Sequence, residues 1–107
     1  MAVKLRTKRP DPALKQISEA LRRYSLAHPQ AAIEAYRQNS VSVRIRVIDS
    51  DFSGMTRVER EEELWKILEQ LPEDVVAEVS LLLLLTPEEA KKSFANVEFD
   101  NPVESRV

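Results

Sequence analysis

Few residues of this chain have the side-chain type and the spacing along the sequence that catalysis or metal binding requires. Glu59, Glu61, Glu62 and Glu63 lie close together, and carboxylates can bind metals or exchange protons. The same run is typical of the solvated first turn of a helix, where the helix dipole favours negative charge. The single histidine, His28, is interpreted as a loop residue, since one histidine cannot make the ligand set of a zinc site. No serine has a histidine partner in a recognisable arrangement, so the sequence predicts no catalytic residue, no metal site and no cofactor.

Composition narrows the class of protein further. The chain has 107 residues, of which 43% are hydrophobic and 32% charged, as expected for one globular domain with a modest core. It contains no cysteine, which excludes disulfides, thiolate metal sites and thiol nucleophiles. The charged start shows no secretory signal, and the longest leucine run, five residues, is far too short for a membrane span. These observations indicate a cytoplasmic protein that is not an enzyme and has no membrane partner.

Charge is unevenly distributed along the chain. Residues 1–46 hold ten Lys/Arg against three Asp/Glu, whereas residues 47–107 hold six against fifteen, so a basic half precedes an acidic one. Arg44 and Arg46 share one face of a predicted strand, and Arg37 joins them if a hairpin brings it across. Together with the basic segment 1–10 these arginines could form a phosphate-binding surface. The alternative is an ordinary solvated sheet face.

In the first half of the chain, local signals mark one helix and two strands. Asp11 followed by Pro12 predicts a helix start, and apolar residues at spacings of three and four continue the helix for about fourteen residues, until His28-Pro29. Residues 32–38 suit a short strand, and a turn at residues 38–40 follows it. The next strand is clearer, because apolar and polar residues alternate from Val41 to Val47.

The second half of the chain reads as helix, strand and helix. Thr56 and Glu59 form a capping box that opens a long helix, and residues 74–79 suit a short further helix. Five consecutive leucines, residues 81–85, are too short for a helix between caps and indicate a strand covered on both faces. Leu82 and Leu84 would point to one face and the other three leucines to the opposite face. A second capping box begins at Thr86, and its helix runs to about residue 94.

These elements predict an α+β fold in the order α-β-β-α-(α)-β-α. The first two strands form an antiparallel hairpin, and the third, reached by a helical crossover, runs parallel to the second. We expect a small three-stranded mixed sheet with helices mainly on one face. Residues 1–10 are predicted to be a disordered basic arm, residues 11–95 the single domain, and residues 96–107 a C-terminal tail.

Several short motifs resemble those of the BolA-like family. Phe52-Ser53-Gly54 matches the F-x-G turn that follows a strand in that family. Arg60 stands where the first arginine of an R-H-R helix motif would be, and Thr86-Pro87-Glu88-Glu89 matches the T-P-E-E that follows the last strand. The match spans roughly residues 11–92. The resemblance implies a fold related to the type II KH arrangement and a role as an adaptor of iron–sulfur assembly, with a monothiol glutaredoxin as partner.

The chain departs from that family at the residues tied to its function. Glu61 occupies the position of the R-H-R histidine, which family members lend to the shared cluster. A second family histidine would fall near residues 78–80, where the sequence has none. Gly54 is the only glycine, so the G-x-x-G loop of a KH nucleic-acid grip is absent as well. Iron–sulfur assembly is therefore an alternative function, as is weak nucleic-acid binding through the basic half.

The sequence favours a small interaction module that binds a protein partner or a second copy of itself. If helices cover only one face of the sheet, the other face exposes leucine beside arginine, and exposed apolar patches usually mark an interface. The candidate binding surface comprises Arg37, Arg44, Arg46, Leu82 and Leu84.

Overall fold

The chain, whose computed structural model describes residues 3–101, combines four strands with five helices in that range. The strands are β1 (Val3–Leu5), β2 (Ala32–Asn39), β3 (Ser42–Ile48) and β4 (Val79–Leu85). The helices are α1 (Pro12–Ala27), α2 (Arg57–Leu68), α3 (Glu73–Val76), α4 (Pro87–Lys92) and α5 (Phe94–Asp100), and a single 3-10 turn covers Ser50–Phe52. The four strands form one mixed sheet in the order β1-β2-β3-β4.

The predicted α+β class is confirmed, and local signals mark the starts of the main helices correctly. Asp11 caps α1 by accepting a hydrogen bond from the Leu14 N–H at 3.2 Å. The capping boxes that begin at Thr56 and Thr86 both form. Strand directions also follow the prediction, since β2 is antiparallel to β3 and β3 is parallel to β4.

The sheet has four strands and not three, because the segment predicted to be a disordered arm contains one. Val3 and Leu5 of β1 lie opposite inward-facing residues of β2, to which β1 runs parallel. The Arg6 N–H then donates to the Ala35 carbonyl oxygen at 3.0 Å. The alternation of Val3 and Leu5 with Lys4 buries one side of a very short strand, and the basic residues around it hide that pattern in the sequence. Residues 1 and 2 of the predicted arm lie outside the described part.

One face of the sheet carries the core. The apolar stripe predicted for α1 is buried against the strands and α2, and each such leucine or isoleucine contributes about 1.5–3 kcal/mol by leaving water. The buried residues of the strands and α2 in this core are Ile33, Ala35, Val43, Ile45, Val47, Leu64, Leu68, Leu82 and Leu84. Between residues 3 and 101 no helix is long and apolar enough to cross a membrane.

The opposite face of the sheet is also covered in part, which corrects the prediction of helices mainly on one face. The predicted tail begins at residue 96, whereas α5 spans Phe94–Asp100 and is capped by Ser93, which accepts from the Asn96 N–H at 3.2 Å. Phe99 is fully buried, with its ring centroid 4.9 Å from that of Tyr36 on β2. One aromatic anchor thus docks this short helix onto the sheet. Residues 102–107 of the predicted tail lie outside the described part.

Candidate functional site

The predicted arginine face exists, but its charges are already paired. Arg44 and Arg46 lie on the face of β3 opposite the core, and Arg44 Nη1 donates to both carboxylate oxygens of Glu98, at 2.7 and 2.8 Å. This hydrogen bonding to Glu98 raises the pKa of Arg44 above its usual value. Arg46 pairs with Asp100 at 2.7 Å and with Glu34 at 3.1 Å. Guanidinium groups that already bind carboxylates have little capacity left to attract phosphate.

The Phe99 ring of α5 lies near two arginine guanidinium groups on the outer face of the sheet. The Phe99 ring centroid lies 4.7 Å from the guanidinium carbon of Arg6 and 4.6 Å from that of Arg46. Arg6 also donates to the Phe99 carbonyl oxygen at 2.7 Å. Contacts of this kind contribute roughly 0.5–2 kcal/mol, more when water is excluded. The acidic end of the chain therefore neutralises part of its basic half within the same molecule.

Arg37 does not join the other two arginines. In the sheet it pairs with Val43, whose side chain faces the core. Its guanidinium forms ion pairs with Asp11 and Glu78, each at 2.7 Å. These contacts tie β2 to the start of α1 and to the residue before β4. Arg37 is thus a structural link on the α1 side of the sheet, away from Arg44 and Arg46.

The leucines of β4 divide between the core and the outer face. Leu82 and Leu84 lie opposite Ile45 and Val47 and are only 8% exposed, so they belong to the core and not to the candidate surface. The outward-facing leucines, which are half-buried, are Leu81, Leu83 and Leu85. Alternation within β4 separates the two sets, but only the helices α1 and α2 decide which set is buried.

A cleft of about 680 Å³, here named the leucine cleft, lies along β4 between the start of α2 and the junction of α4 with α5. Its floor is β4, which presents the side chains of Leu81, Leu83 and Leu85 there. The other lining residues are Met55, Arg57, Arg60, Glu89, Lys92, Ser93 and Ala95. β4 stands at the edge of the sheet, where it pairs with β3 and with no other strand of the described chain. The leucine cleft therefore combines apolar side chains, a basic rim and a strand edge.

The residues that resemble the BolA-like motifs meet at one end of the leucine cleft. Arg60 Nη1 donates to Glu89 Oε1 at 2.6 Å and to the Leu84 carbonyl oxygen at 3.0 Å, and its guanidinium lies 5.6 Å from the Phe52 ring centroid. The side-chain hydrogen bond from Arg60 lowers the pKa of Glu89 to about 2. Glu89 also closes the capping box with Thr86. In this chain the motif residues fasten α2 to the end of β4.

Glu61, at the position of the family histidine, makes contacts within its own helix. It accepts from Trp65 Nε1 at 3.4 Å and pairs with Arg57 at 3.6 Å. Its neighbour Glu62 has a side chain that is 65% exposed and makes only a loose pair with Lys66. Glu62 therefore faces solvent, whereas Glu61 is only 25% exposed.

His28 is more than a loop residue, because it lies at the centre of a polar cluster. Its ring stacks on Tyr24 with centroids 4.3 Å apart, and its Nε2 lies 2.8 Å from Glu63 Oε2. His28, Asp49 and Asp51 bring one ligand atom each within 4.8 Å of one another; with Glu63 they form what is here named the His28 cluster. Burial, followed by the charges of Glu63 and the two aspartates, raises the pKa of Tyr24 to about 12. No local pattern predicts the cluster, since His28 and Glu63 are 35 positions apart.

Comparison with known proteins adds no relative to this picture. No protein-family model, no curated protein and no solved structure matches the chain. Function must therefore be inferred from the leucine cleft and the His28 cluster themselves.

Proposed function

We propose that this protein is a non-enzymatic interaction module that associates with a second copy of itself through the leucine cleft. The main support is the edge position of β4, whose seven residues, VSLLLLL, include no charge and no proline. Open backbone groups along a sheet edge readily pair with another strand, and natural proteins block unwanted pairing with charges or proline in the edge strand. β4 has neither, and although Arg60 already binds the Leu84 carbonyl oxygen near its end, the rest of the edge favours pairing with another strand.

Charge favours an antiparallel pair of two β4 strands related by a two-fold axis. In such a pair, centred on Leu82, the start of each strand lies beside the end of the other strand. The residues that lead into β4 include the acidic Glu73 and Asp74. At the other end of the strand the leucine cleft is lined by the basic Lys92, on the helix that follows β4. Opposite charges would meet at both ends, and the outward leucines of the two copies would meet in the middle.

Leu83→Lys tests this proposal at the centre of the interface. Leu83 faces outwards and would lie opposite Leu81 of the second copy, so a lysine there removes an apolar contact across the axis and places a charge in the interface, while its stem can still reach solvent. In sedimentation velocity at tens of micromolar, we expect a dimer for the wild type and a monomer for the variant. Leu26→Lys is the matched control, because Leu26 is 83% exposed on α1 and should leave the dimer intact.

Two further measurements define how the proposal can fail. Circular dichroism melting should be similar for the Leu83→Lys monomer and for wild type at low concentration, which shows that the fold is retained. Amide hydrogen exchange in β4 should slow as protein concentration rises, because strand pairing protects backbone N–H groups. A wild type that remains monomeric, or a dimer that Leu83→Lys leaves intact, would contradict self-association through β4.

We also infer a BolA-like core for residues 11–92. It is supported by the antiparallel–parallel strand order of β2, β3 and β4 and by the positions of Phe52, Arg60 and the T-P-E-E segment. An iron–sulfur adaptor role has less support, because Glu61 offers a carboxylate where imidazole suits iron better. Nucleic-acid binding also has less support, since Arg44 and Arg46 already bind carboxylates.

A further inference from the structure

We propose that His28, Asp49 and Asp51 bind a divalent cation of the zinc class, with Glu63 as the partner that orients the histidine. The three ligand atoms lie within 4.8 Å of one another. One imidazole and two carboxylates are ligand types that Zn²⁺ accepts, and a water molecule would complete a four-coordinate shell. The three ligands come from the end of α1 and from the turn after β3, so the ion would join two separate parts of the fold.

Asp49 supplies the observation that points to a bound cation. Its side chain is only 1% exposed. Its Oδ1 accepts from the Asp51 N–H at 2.9 Å, whereas its Oδ2 has no hydrogen-bond partner among residues 3–101. A buried carboxylate oxygen without a donor carries an uncompensated desolvation cost. A cation at Oδ2 would remove that cost.

The contact with Glu63 orients the His28 ring in the way that metal-bound histidines are oriented. The 2.8 Å contact between Nε2 and Glu63 Oε2 places the ring proton on Nε2, where it is donated to the carboxylate. The lone pair of Nδ1 then faces Asp49 Oδ2 at 3.9 Å. Two acceptors that face each other repel unless a cation lies between them. Metal-bound histidines almost always donate their second nitrogen to a carboxylate or carbonyl in this way.

Three ligand atoms within 4.8 Å of one another must close further to share one ion. Bonds of about 2.0–2.2 Å in a tetrahedral shell place two donor atoms about 3.4 Å apart, whereas Nδ1 of His28 and Oδ2 of Asp49 are 3.9 Å apart. The backbone around both residues is anchored, since the His28 N–H donates to the Ser25 carbonyl oxygen at 3.1 Å and the Asp49 N–H to that of Leu85 at 2.9 Å. Asp51 is exposed, so its carboxylate can turn towards the ion.

A proton on Nδ1 is the competing occupant of the same gap. It would make an imidazolium between two carboxylates, with Nδ1–H directed at Asp49. From 3.9 Å, an ordinary N–H···O hydrogen bond of 2.7–3.2 Å requires a larger closure than the separation of about 3.4 Å that a metal ion requires, which favours the metal ion.

The single histidine makes nitrogen NMR the decisive measurement. In a chain without a histidine tag, both imidazole ¹⁵N resonances belong to His28. Addition of one equivalent of ZnCl₂ to metal-free protein should move the Nδ1 resonance to the position of a metal-bound nitrogen and leave Nε2 protonated. The melting temperature should rise with ZnCl₂ and not with MgCl₂, because Mg²⁺ prefers an all-oxygen shell. An Nδ1 resonance that ZnCl₂ does not move would overturn the proposal.

Matched variants assign the ligands. Calorimetric titration with ZnCl₂ should show at least tenfold weaker binding for Asp49→Asn, and about 10- to 100-fold weaker binding for Glu63→Gln, which removes the orienting partner. Glu62→Gln, at the exposed neighbour outside the cluster, should bind as the wild type does. Because the Glu63 side chain is 52% exposed, Glu63→Gln remains informative even if Asp49→Asn fails to fold. Equal affinity in wild type and Glu63→Gln would count against the orienting contact, and equal affinity in a folded Asp49→Asn would exclude the site.

Discussion

At the scale of single residues, the arginines of this protein act as connectors. Arg6, Arg37, Arg44, Arg46 and Arg60 each pair with a carboxylate from a distant element, and their side chains are between 11% and 25% exposed. Removal of one member of such a partly buried pair leaves a charge without its partner, which costs more than an exposed pair contributes. These arginines therefore hold elements together and are poorly placed to receive phosphate.

The pairing of Glu89 with Arg60 predicts how the stability of the fold depends on pH. The pKa of Glu89 is held at about 2, below the ordinary value of 4.5, chiefly by the hydrogen bond from Arg60. Since the folded pKa is the lower one, the stabilisation is fully present above pH 4.5 and is lost as the pH falls from 4.5 towards 2. The thermal midpoint of the wild type should fall across this range. Glu89→Gln keeps a capping-box acceptor but should be less stable at pH 7 and show a smaller fall.

The quantity to compare is the difference between the thermal midpoints of wild type and Glu89→Gln at each pH. Other groups also lower the midpoint as the pH falls, so the fall of one protein alone is not informative. The pKa of Asp11 and the pKa of Glu59 are also lowered in the folded chain. Glu62→Gln serves as the control and should reproduce the wild-type profile. Parallel profiles for wild type and Glu89→Gln would show that the Arg60–Glu89 pair does not stabilise the fold.

At the scale of elements, two short segments owe their structure to docking. β1 has three residues and α5 has seven, and isolated pieces of that length are not stable in water. β1 forms because the edge of β2 offers it backbone partners, and α5 forms because Phe99 is buried between Tyr36 and two arginines. β1 completes the sheet, and α5 covers part of its second face.

Phe99→Ala is the prediction for α5. Truncation of a fully buried phenylalanine leaves a cavity and typically costs about 3–5 kcal/mol. We expect the free energy of unfolding in urea to fall by an amount in that range. Val97→Ala, on the same helix at a residue that is 58% exposed, should change it by no more than about 0.5 kcal/mol. Equal effects of the two substitutions would show that α5 is not anchored through Phe99.

At the scale of the whole molecule, opposite charges in the two halves of the chain bind each other. The acidic residues of α5 lie on the arginines of β3, so the basic half presents less free positive charge than its composition suggests. A field of this kind, largely cancelled within the molecule, steers nucleic acid poorly.

Weak nucleic-acid binding is the corresponding prediction. In fluorescence anisotropy at ~150 mM salt, where charges are screened beyond about 8 Å, we expect no sub-micromolar affinity for single- or double-stranded DNA or RNA. The double variant Arg44→Gln/Arg46→Gln, with its fold verified by circular dichroism, should bind no differently, whereas any weak binding should strengthen at low salt because it depends on counterion release. Sub-micromolar binding that this double variant abolishes would instead establish nucleic-acid recognition by the β3 face.

The sequence by itself determined the order of the main elements and the α+β class. Its signals there are local: Asp11 before Pro12, the capping boxes at Thr56 and Thr86, and the alternation along β3 each act within a few residues. Gly54, with φ of 80°, marks the turn before α2 for the same reason, since glycine readily adopts that conformation. Strand directions followed from connection lengths and needed no knowledge of packing.

Only the tertiary structure decided which surfaces remain open and which polar groups meet. β1 and α5 depend on partners far along the chain, and the inward position of Leu82 and Leu84 depends on which face α1 and α2 cover. The His28 cluster likewise assembles groups from three elements. Contacts of this kind leave no periodic trace in the sequence, because their stability comes from burial and charge between distant segments and not from the conformational preference of any one of them.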